Sequence, residues 1–148
     1  MADDVTSMFN AHRGGFNTLI GLEFTEVSAD RVVARVPVTP HLTQPYGIVH
    51  GGVYATIVET LASSGAAVTA MARGQTTVGL ENTTSFLHAV RAGTLVATAK
   101  PLHRGRSTHV WEVTITDDAG KVAATGRVRM ICLDAGAAIA GETVSVKS

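Results

Sequence analysis

The sequence has a single cysteine, few aromatic residues and no excess of either charge. Cys132 has no second cysteine for an intramolecular disulfide, so the cytoplasm is the expected compartment. Because Cys132 lies in an apolar run, we expect a buried, inert thiol. Twelve Lys and Arg residues balance twelve Asp and Glu residues, and a neutral chain lacks the basic surface that binds a phosphate backbone. We therefore expect no nucleic-acid partner.

The chain also lacks an apolar run next to its N-terminus. The first four residues, Met-Ala-Asp-Asp, are acidic on balance, so neither a secretory signal nor a transit peptide is predicted. Residues 51–72 are apolar enough to imitate a membrane span, but Glu59 lies near the middle of this stretch. A buried helix of a globular protein fits the stretch better, and we expect no membrane partner.

Signatures of the common hydrolases and metalloenzymes are missing as well. The sequence has no G-x-S-x-G elbow, H-E-x-x-H or C-x-x-C pair, Walker loop, or G-x-G-x-x-G after a strand. On an extended chain His103 and His109 would lie about 20 Å apart, too far to share a metal ion. We interpret His12, His41 and His109 as ordinary surface histidines, and we predict no metal site.

The chain has 148 residues, of which 45% are hydrophobic, and this predicts one compact domain over residues 1–148. Alternating apolar and polar residues predict strands over 21–27, 31–38, 76–86, 93–102, 107–116 and 121–133. The stretch 51–72 predicts one long helix that ends at Arg73-Gly74. The pattern indicates an α+β fold in which an antiparallel sheet of five or six strands wraps a central helix. Residues 1–15 and 135–148 lack clear periodicity and are expected to be peripheral to a core over roughly 20–133.

The segment that precedes the long helix is unusual. It runs from Gln44 to Gly52 and ends in His50-Gly51-Gly52. Two glycines at a helix start expose backbone N–H groups at the positive end of the helix dipole. Because glycine lets a carbonyl oxygen approach closely, this is a candidate oxyanion site. The alternative is a helix start that packs tightly against a strand.

Glu59 places a carboxylate in the middle of this apolar helix, which is costly if the carboxylate is buried without a partner. It either bonds a neighbouring backbone group or an arginine, or acts as a general base or nucleophile. Ser63 lies one turn later on the same face and could bond Glu59 or a water molecule. Gly51 and Glu59 are separated by about 12 Å along the axis and about 80° around it. They can act on one carbonyl only if two subunits share the site, which predicts a homodimer with two sites.

With these residues, the sequence resembles the hotdog-fold acyl-CoA thioesterases. Among them it is similar to the 4-hydroxybenzoyl-CoA thioesterase branch, which carries Glu on the helix. The resemblance spans roughly residues 20–133. Its most specific part is V-H-G-G-V-Y at residues 49–54 followed by Glu59. It continues through Val78-Gly79, Asn82, T-S-F at 84–86, Trp111 and D-D-A-G at 117–120.

The resemblance implies a hotdog fold and the hydrolysis of an aromatic or short-to-medium acyl-CoA. Glu59 would attack the thioester carbon or activate water, and the Gly51 N–H and the Gln44 side chain would polarise the carbonyl. Ser63 would lie near the hydrolytic water, and His50 would orient the loop. A thioester is electrophilic and its thiolate leaves readily, so neither a metal nor a Ser-His-Asp triad is needed. No cofactor is expected, because coenzyme A is part of the substrate.

The resemblance also places coenzyme A along the outer surface and implies a homodimer that pairs further into a tetramer. Most candidate phosphate-binding residues lie in the segment His103 to Thr108; they are Arg104, Arg106, Ser107 and Thr108. His88, which follows the predicted strand 76–86, is a further candidate. A solvated turn is the alternative for this segment. Tyr54, Thr84 and Phe86 would flank the acyl group.

Two other functions remain open from the sequence. One is a non-catalytic acyl-CoA sensor, although the chain has no room for a DNA-binding domain and no basic excess. The other is hydratase or dehydratase chemistry on the same fold, which would require a catalytic histidine. Release of a free thiol distinguishes hydrolysis from both.

Overall fold

The computed structural model describes residues 1–147 and consists of a curved sheet around one long helix. The helices are α1 (Ala2–Ala11), α2 (Gly14–Leu19) and α3 (Gly51–Ala72), with a short 3-10 helix at Pro40–Leu42. The strands are β1 (Glu23–Val27), β2 (Val32–Pro37), β3 (Gln75–Phe86), β4 (Thr94–Arg104), β5 (Thr108–Thr116), β6 (Val122–Asp134), β7 (Ala138–Ile139) and β8 (Glu142–Thr143). Six strands form one antiparallel sheet in the order β1-β2-β4-β5-β6-β3. The expected α+β architecture is confirmed.

Helix α3 lies against the concave face of the sheet because its side chains there are apolar or small. Ile57, Leu61 and Ala66 are fully buried. Trp111 from β5 is also fully buried, and its indole lies against Gly65, where any side chain would overlap the ring. Helix α3 has the length and composition of a membrane span, but its apolar residues form the core inside this sheet.

His109 corrects one expectation about the strands. Burial alternates along β5, where Trp111, Val113 and Ile115 face the core. His109 has the same parity and is fully buried, so its interpretation as a surface histidine is wrong. Neither ring nitrogen makes a hydrogen bond within residues 1–147. Burial, and then the positive charge of Arg73, lowers the pKa of His109.

The termini are peripheral but more regular than the sequence indicated. In α1, which has no fully buried residue, Val5 and Phe9 pack against the core. Asn10 ties α1 to β1, because its side chain both donates to and accepts from the backbone of Phe24, at 2.8 and 2.9 Å. Strands β7 and β8 form a small separate hairpin near the C-terminus.

Strand β3 forms one edge of the sheet. It has 12 residues and pairs with β6 on one side, and within residues 1–147 its other side has no partner strand. A bulge interrupts the pairing between Gly79 and Glu81, and Leu80 in the bulge is half exposed. A long, partly apolar edge strand is normally covered, because it otherwise invites uncontrolled pairing.

Candidate active site

The start of α3 leaves one backbone N–H unpaired. His50 caps the helix in an extended conformation, and its Nδ1 accepts the N–H of Gly52 at 2.8 Å. The N–H of Val53 donates to the carbonyl of His50 at 2.9 Å. Within residues 1–147 the N–H of Gly51 has no hydrogen-bond partner. Of the first three N–H groups of the helix, Gly51 therefore presents the one that is free to bind an oxyanion.

Gln44 presents a second free donor in the preceding loop. Its backbone N–H donates to the carbonyl of Ile48 at 2.8 Å, which closes the loop. Its side-chain Oε1 accepts the N–H of Tyr46. A backbone N–H can only donate, so the amide oxygen must face Tyr46 and the NH₂ group must point away. That NH₂ group makes no hydrogen bond within the part of the chain that is described.

Phe86, at the end of β3, covers the helix start. A side chain at Gly51 would place its Cβ 2.6 Å from Cε2 of Phe86, so it would displace the ring from this position. Phe86 is 59% exposed, and its ring centroid lies 6.0 Å from that of Tyr54. Tyr54 itself is buried in the core, and burial raises the pKa of its phenol. Of the two aromatic residues expected to flank the acyl group, only Phe86 is accessible.

The Glu59 carboxylate is half buried between α3 and β3. Its Oε2 accepts a hydrogen bond from Nδ2 of Asn82 at 3.3 Å. Its Oε1 lies against Gly79, in the space that a side chain there would occupy. The partner of Glu59 is therefore a neutral amide, not the arginine or backbone group considered from the sequence. A carboxylate with one oxygen bonded and the other against bare backbone is well placed to act as a base or nucleophile.

Ser63 makes no hydrogen bond to Glu59 or to any other described residue. Its side chain is half buried and lines a cavity of about 250 Å³ together with Thr77 of β3 and with Phe9 and His12 of the N-terminal segment. The direct Glu59–Ser63 bond that helix geometry allows is thus absent from this structure. Its hydroxyl faces a space large enough for water or part of a ligand.

The turn between β4 and β5 lies at Gly105-Arg106-Ser107. Arg106 and Ser107 are exposed, and their side chains make no hydrogen bond within residues 1–147. The guanidinium of Arg104 is partly used, because it donates to the carbonyl of Ala29 and to Asp30, both at 2.8 Å. Arg106, Ser107 and the half-buried Thr108 are therefore freer than Arg104 to contact an anion.

The β4–β5 hairpin also corrects the distance expected between His103 and His109. Arg104 pairs with His109 across the hairpin, so the two histidines are neighbours rather than ends of an extended segment. The described residues nevertheless contain no group of three His, Cys, Asp or Glu side chains that could hold a metal ion.

His88 is engaged inside the chain. Its Nε2 lies 3.2 Å from Oδ2 of Asp117, in the turn between β5 and β6. The backbone N–H of Lys121, then that of Ala119, then His88 lower the pKa of Asp117. Nε2 of His88 is therefore engaged in this turn, and the role of His88 as a phosphate ligand stays a prediction.

The free N–H of Gly51 and the candidate phosphate-binding turn lie near opposite ends of α3. Gly51 begins the helix, whereas Arg73 at its C-cap donates to the carbonyl of Gly105 at 3.1 Å. The helix of 22 residues is about 33 Å long, and Glu59 lies between its ends. Within one chain, the free N–H of Gly51 and the turn at 105–107 are thus far apart.

Comparison with known proteins identifies relatives of this chain. The sequence model of one protein family, the Thioesterase superfamily, matches residues 46–124. The chain is 37% identical over 113 residues to 1,4-dihydroxy-2-naphthoyl-CoA hydrolase of Listeria monocytogenes, covering 76% of this chain and 91% of the relative. It is 37% identical over 109 residues to the proofreading thioesterase EntH of Cronobacter turicensis, covering 74% and 79% respectively.

A solved structure shows the same architecture. The protein Rv1847/MT1895 of Mycobacterium tuberculosis, named as an esterase, is 43% identical and superposes with a TM-score of 0.80, covering 81% of this chain and 97% of that structure. The matched region contains the start of α3, Glu59 and strand β3. The chain therefore belongs to the thioesterase superfamily and is a thioester hydrolase with the hotdog fold.

Proposed function

We propose that the protein is an acyl-CoA thioesterase that hydrolyses an aromatic or short-to-medium acyl-CoA to the free acid and coenzyme A. The observation that carries the proposal is the combination of two free donors, the Gly51 N–H and the Gln44 amide, with the Glu59 carboxylate. Hydrogen-bond donors stabilise an oxyanion, and a carboxylate supplies the attack or the base. The relative named as a 1,4-dihydroxy-2-naphthoyl-CoA hydrolase supports an aromatic acyl group.

Two subunits must share each site in this proposal. The unpaired edge of β3 is long enough to pair with β3 of a second copy, which covers Leu80 and continues the sheet. In an antiparallel pair, the Gly51 end of α3 in one subunit approaches the middle of α3 in the other. Gln44 and Gly51 of one subunit then face Glu59 and Ser63 of the other, in two equivalent sites. We propose a homodimer as the active unit and a tetramer as a pair of such dimers.

The reaction needs one water molecule and no cofactor. The thioester oxygen accepts hydrogen bonds from Gly51 and Gln44, which stabilise the negative charge that develops on it. Glu59 either removes a proton from the attacking water or attacks the carbonyl carbon to give a mixed anhydride that water then hydrolyses. In both routes a C–O bond replaces the C–S bond, and the thiolate takes up a proton. His50 holds the loop through Gly52 and does not enter the chemistry.

Coenzyme A would lie along the turn of the subunit that contributes Glu59. Arg106 offers a free guanidinium for a phosphate, and Ser107 and Thr108 offer hydroxyl groups. Arg104 contributes at most the part of its guanidinium that Asp30 leaves free. We propose the cytoplasm as the compartment, and the buried, unpaired Cys132 supports a reducing environment.

A thiol-release assay tests this function. Purified protein is incubated with aromatic, short, medium and long acyl-CoAs, beside the variants Glu59→Ala and Glu59→Gln. We expect turnover on one class and a loss of at least about a hundredfold in kcat in both variants. Acyl-CoA binding without thiol release would instead indicate a sensor, and a changed acyl group on an intact thioester would indicate a hydratase.

A further inference from the structure

Asn82 links Glu59 to strand β3 through an amide whose orientation is fixed. Its Nδ2 donates to the carbonyl of Ala55 at 2.9 Å and to Oε2 of Glu59 at 3.3 Å. The carbonyl of Ala55 can only accept, so the NH₂ group must face helix α3 and Oδ1 must face away. Oδ1 in turn accepts the hydroxyl hydrogen of Thr84 at 2.6 Å. The amide is thus held at three points between the helix and the strand.

The two oxygens of the Glu59 carboxylate consequently have different surroundings. Oε2 receives an N–H of Asn82, whereas Oε1 lies against Gly79, which has no side chain to restrain it. A glutamate side chain has several rotatable bonds and loses freedom when it is held in one geometry. Catalysis requires the reacting oxygen to stay within about 0.5 Å of its productive position. The hydrogen bond to Oε2 restricts the rotation of the carboxylate, and Oε1 has no hydrogen-bond partner within residues 1–147.

Thr84 bonds the side of the Asn82 amide that faces away from helix α3. A Cβ at Gly126 of β6 would lie 2.9 Å from Oγ1 of Thr84, so the bare backbone of β6 makes room for the hydroxyl. Within residues 1–147 Thr84 makes no hydrogen bond to Glu59. Its hydroxyl can act on the carboxylate only through Asn82. Because that hydrogen is already donated, Thr84 is not free to donate to an acyl group.

We infer that Asn82 is a positioning residue for the Glu59 carboxylate and that Thr84 fixes the amide of Asn82. This inference rests on the proposed function, in which Glu59 is the catalytic carboxylate. It assigns a specific task to each residue: Asn82 holds Oε2, Gly79 leaves room for Oε1, and Thr84 keeps the amide from turning.

The test compares Asn82→Ala, Thr84→Val, Thr84→Ser and the double variant Asn82→Ala/Thr84→Val by thiol release. Thr83→Val is the matched control, because Thr83 is the exposed neighbour on the opposite face of β3. We expect Asn82→Ala to lower kcat about thirtyfold and to leave KM within about twofold, since a hydrogen bond to a charged group is lost. Thr84→Val should lower kcat about fivefold, and Thr84→Ser should restore it to within about twofold of the unaltered protein.

The double variant separates an indirect role of Thr84 from an independent one. If Thr84 acts through Asn82, the double variant has the kcat of Asn82→Ala alone, whereas independent effects multiply. Multiplying effects would overturn the task assigned to Thr84. Thermal melting and light scattering on every variant check that the fold and the oligomer are retained. If Asn82→Ala does not fold, equal kcat values for Thr84→Val and Thr84→Ser overturn the inference.

The controls also separate this inference from the proposed function. Normal kcat in Asn82→Ala, with turnover lost in Glu59→Ala, would overturn the positioning role and leave the thioesterase intact. If the unaltered protein releases no thiol, or Glu59→Ala keeps full activity, the proposed function fails and the positioning role fails with it. A drop in kcat in Thr83→Val equal to that in Thr84→Val would show a general effect of β3, which also overturns the inference.

Discussion

The Glu59 carboxylate occupies the space that a side chain at Gly79 would need. The carboxylate can lie this close to the backbone of β3 only because residue 79 has no Cβ. The glycine therefore determines where the carboxylate sits, and the bulge that follows it turns the strand between Gly79 and Glu81.

Gly79→Ala should move the Glu59 carboxylate and lower activity. The added methyl group overlaps Oε1, so the side chain must rotate away and lose its bond to Asn82. We expect kcat to fall at least about tenfold, and the free energy of unfolding to fall by about 1–3 kcal/mol, as for other overpacking changes. Steady-state kinetics and urea unfolding measure the two effects.

Gly15→Ala is the matched control for that change. No atom of residues 1–147 lies within 4 Å of the position that its Cβ would take, apart from its own helix and chain neighbours, and alanine is favoured over glycine in a helix such as α2. Activity should be unchanged and stability equal or slightly higher. Full activity in Gly79→Ala would mean that the contact between Oε1 and residue 79 does not matter for turnover.

The main elements of the fold could be predicted because their patterns are strong. The helix bounds 51–72 agree with α3, since small and apolar residues fill that stretch and Arg73-Gly74 follows it. The burial of Val32, Ala34 and Val36 in β2 follows the alternation with Arg35. These patterns are set by local spacing, which one sequence displays directly.

Features that depend on contacts between distant residues could not be predicted in this way. Helix α1 has no fully buried residue and is held by Asn10, whose partner Phe24 is 14 residues away. The bond from Arg104 to Asp30 joins positions 74 residues apart. His109 is the exception, because it shares its parity along β5 with Trp111, and alternation along a strand places both side chains on one face.

The candidate site was predictable in its residue types but not in its hydrogen bonds. Gly51 and Glu59 stand out because glycines at a helix start and a carboxylate in an apolar helix are unusual, whereas the role of Gln44 comes from the family resemblance. Asn82 stood out only through the family resemblance, since an asparagine in a strand predicts no particular partner. Its bond to Glu59 depends on the register of β3 against α3.

Arg106→Ala should weaken the binding of the coenzyme A moiety without affecting the chemical step. The side chain is exposed and free, so its loss removes a phosphate contact and no internal bond. We expect KM for acyl-CoA to rise about three- to tenfold at unchanged kcat. The same variant should act normally on an acyl-pantetheine, which lacks the nucleotide. Arg127→Ala, on the outer face of the sheet, is the control, and equal KM values for all three proteins would place the nucleotide elsewhere.

His109 should make the protein less stable in mild acid. Its pKa is lowered by burial first and by Arg73, Arg104 and His103 next. As the pH falls below the ordinary histidine value of 6.5, the unfolded chain takes up a proton that the folded protein resists. The free energy of unfolding must therefore decrease as the pH falls through this range, because the unfolded state binds more protons.

Urea unfolding at pH 7.5 and pH 5.5 checks this dependence. His109→Gln removes the titrating group and keeps a neutral polar side chain, so we expect a smaller loss of stability between the two pH values. His12→Gln, at an exposed position, should behave like the unaltered protein. An equal loss in His109→Gln would assign the acid sensitivity to other groups.

Sites shared between subunits predict that two inactive chains can restore each other. In a mixed dimer of Glu59→Ala and Gln44→Ala, one site receives the intact Gln44 and Gly51 of the first chain and the intact Glu59 of the second. The other site receives both altered residues. We expect about half the activity of the unaltered dimer, because one of its two sites is complete.

The two chains carry different affinity tags, so that the mixed dimer is purified before the thiol-release assay, and each variant homodimer serves as the inactive control. An inactive mixed dimer would mean that Gln44 and Glu59 act within one chain, and α3 would then have to bend or the substrate would have to bridge about 12 Å along the helix.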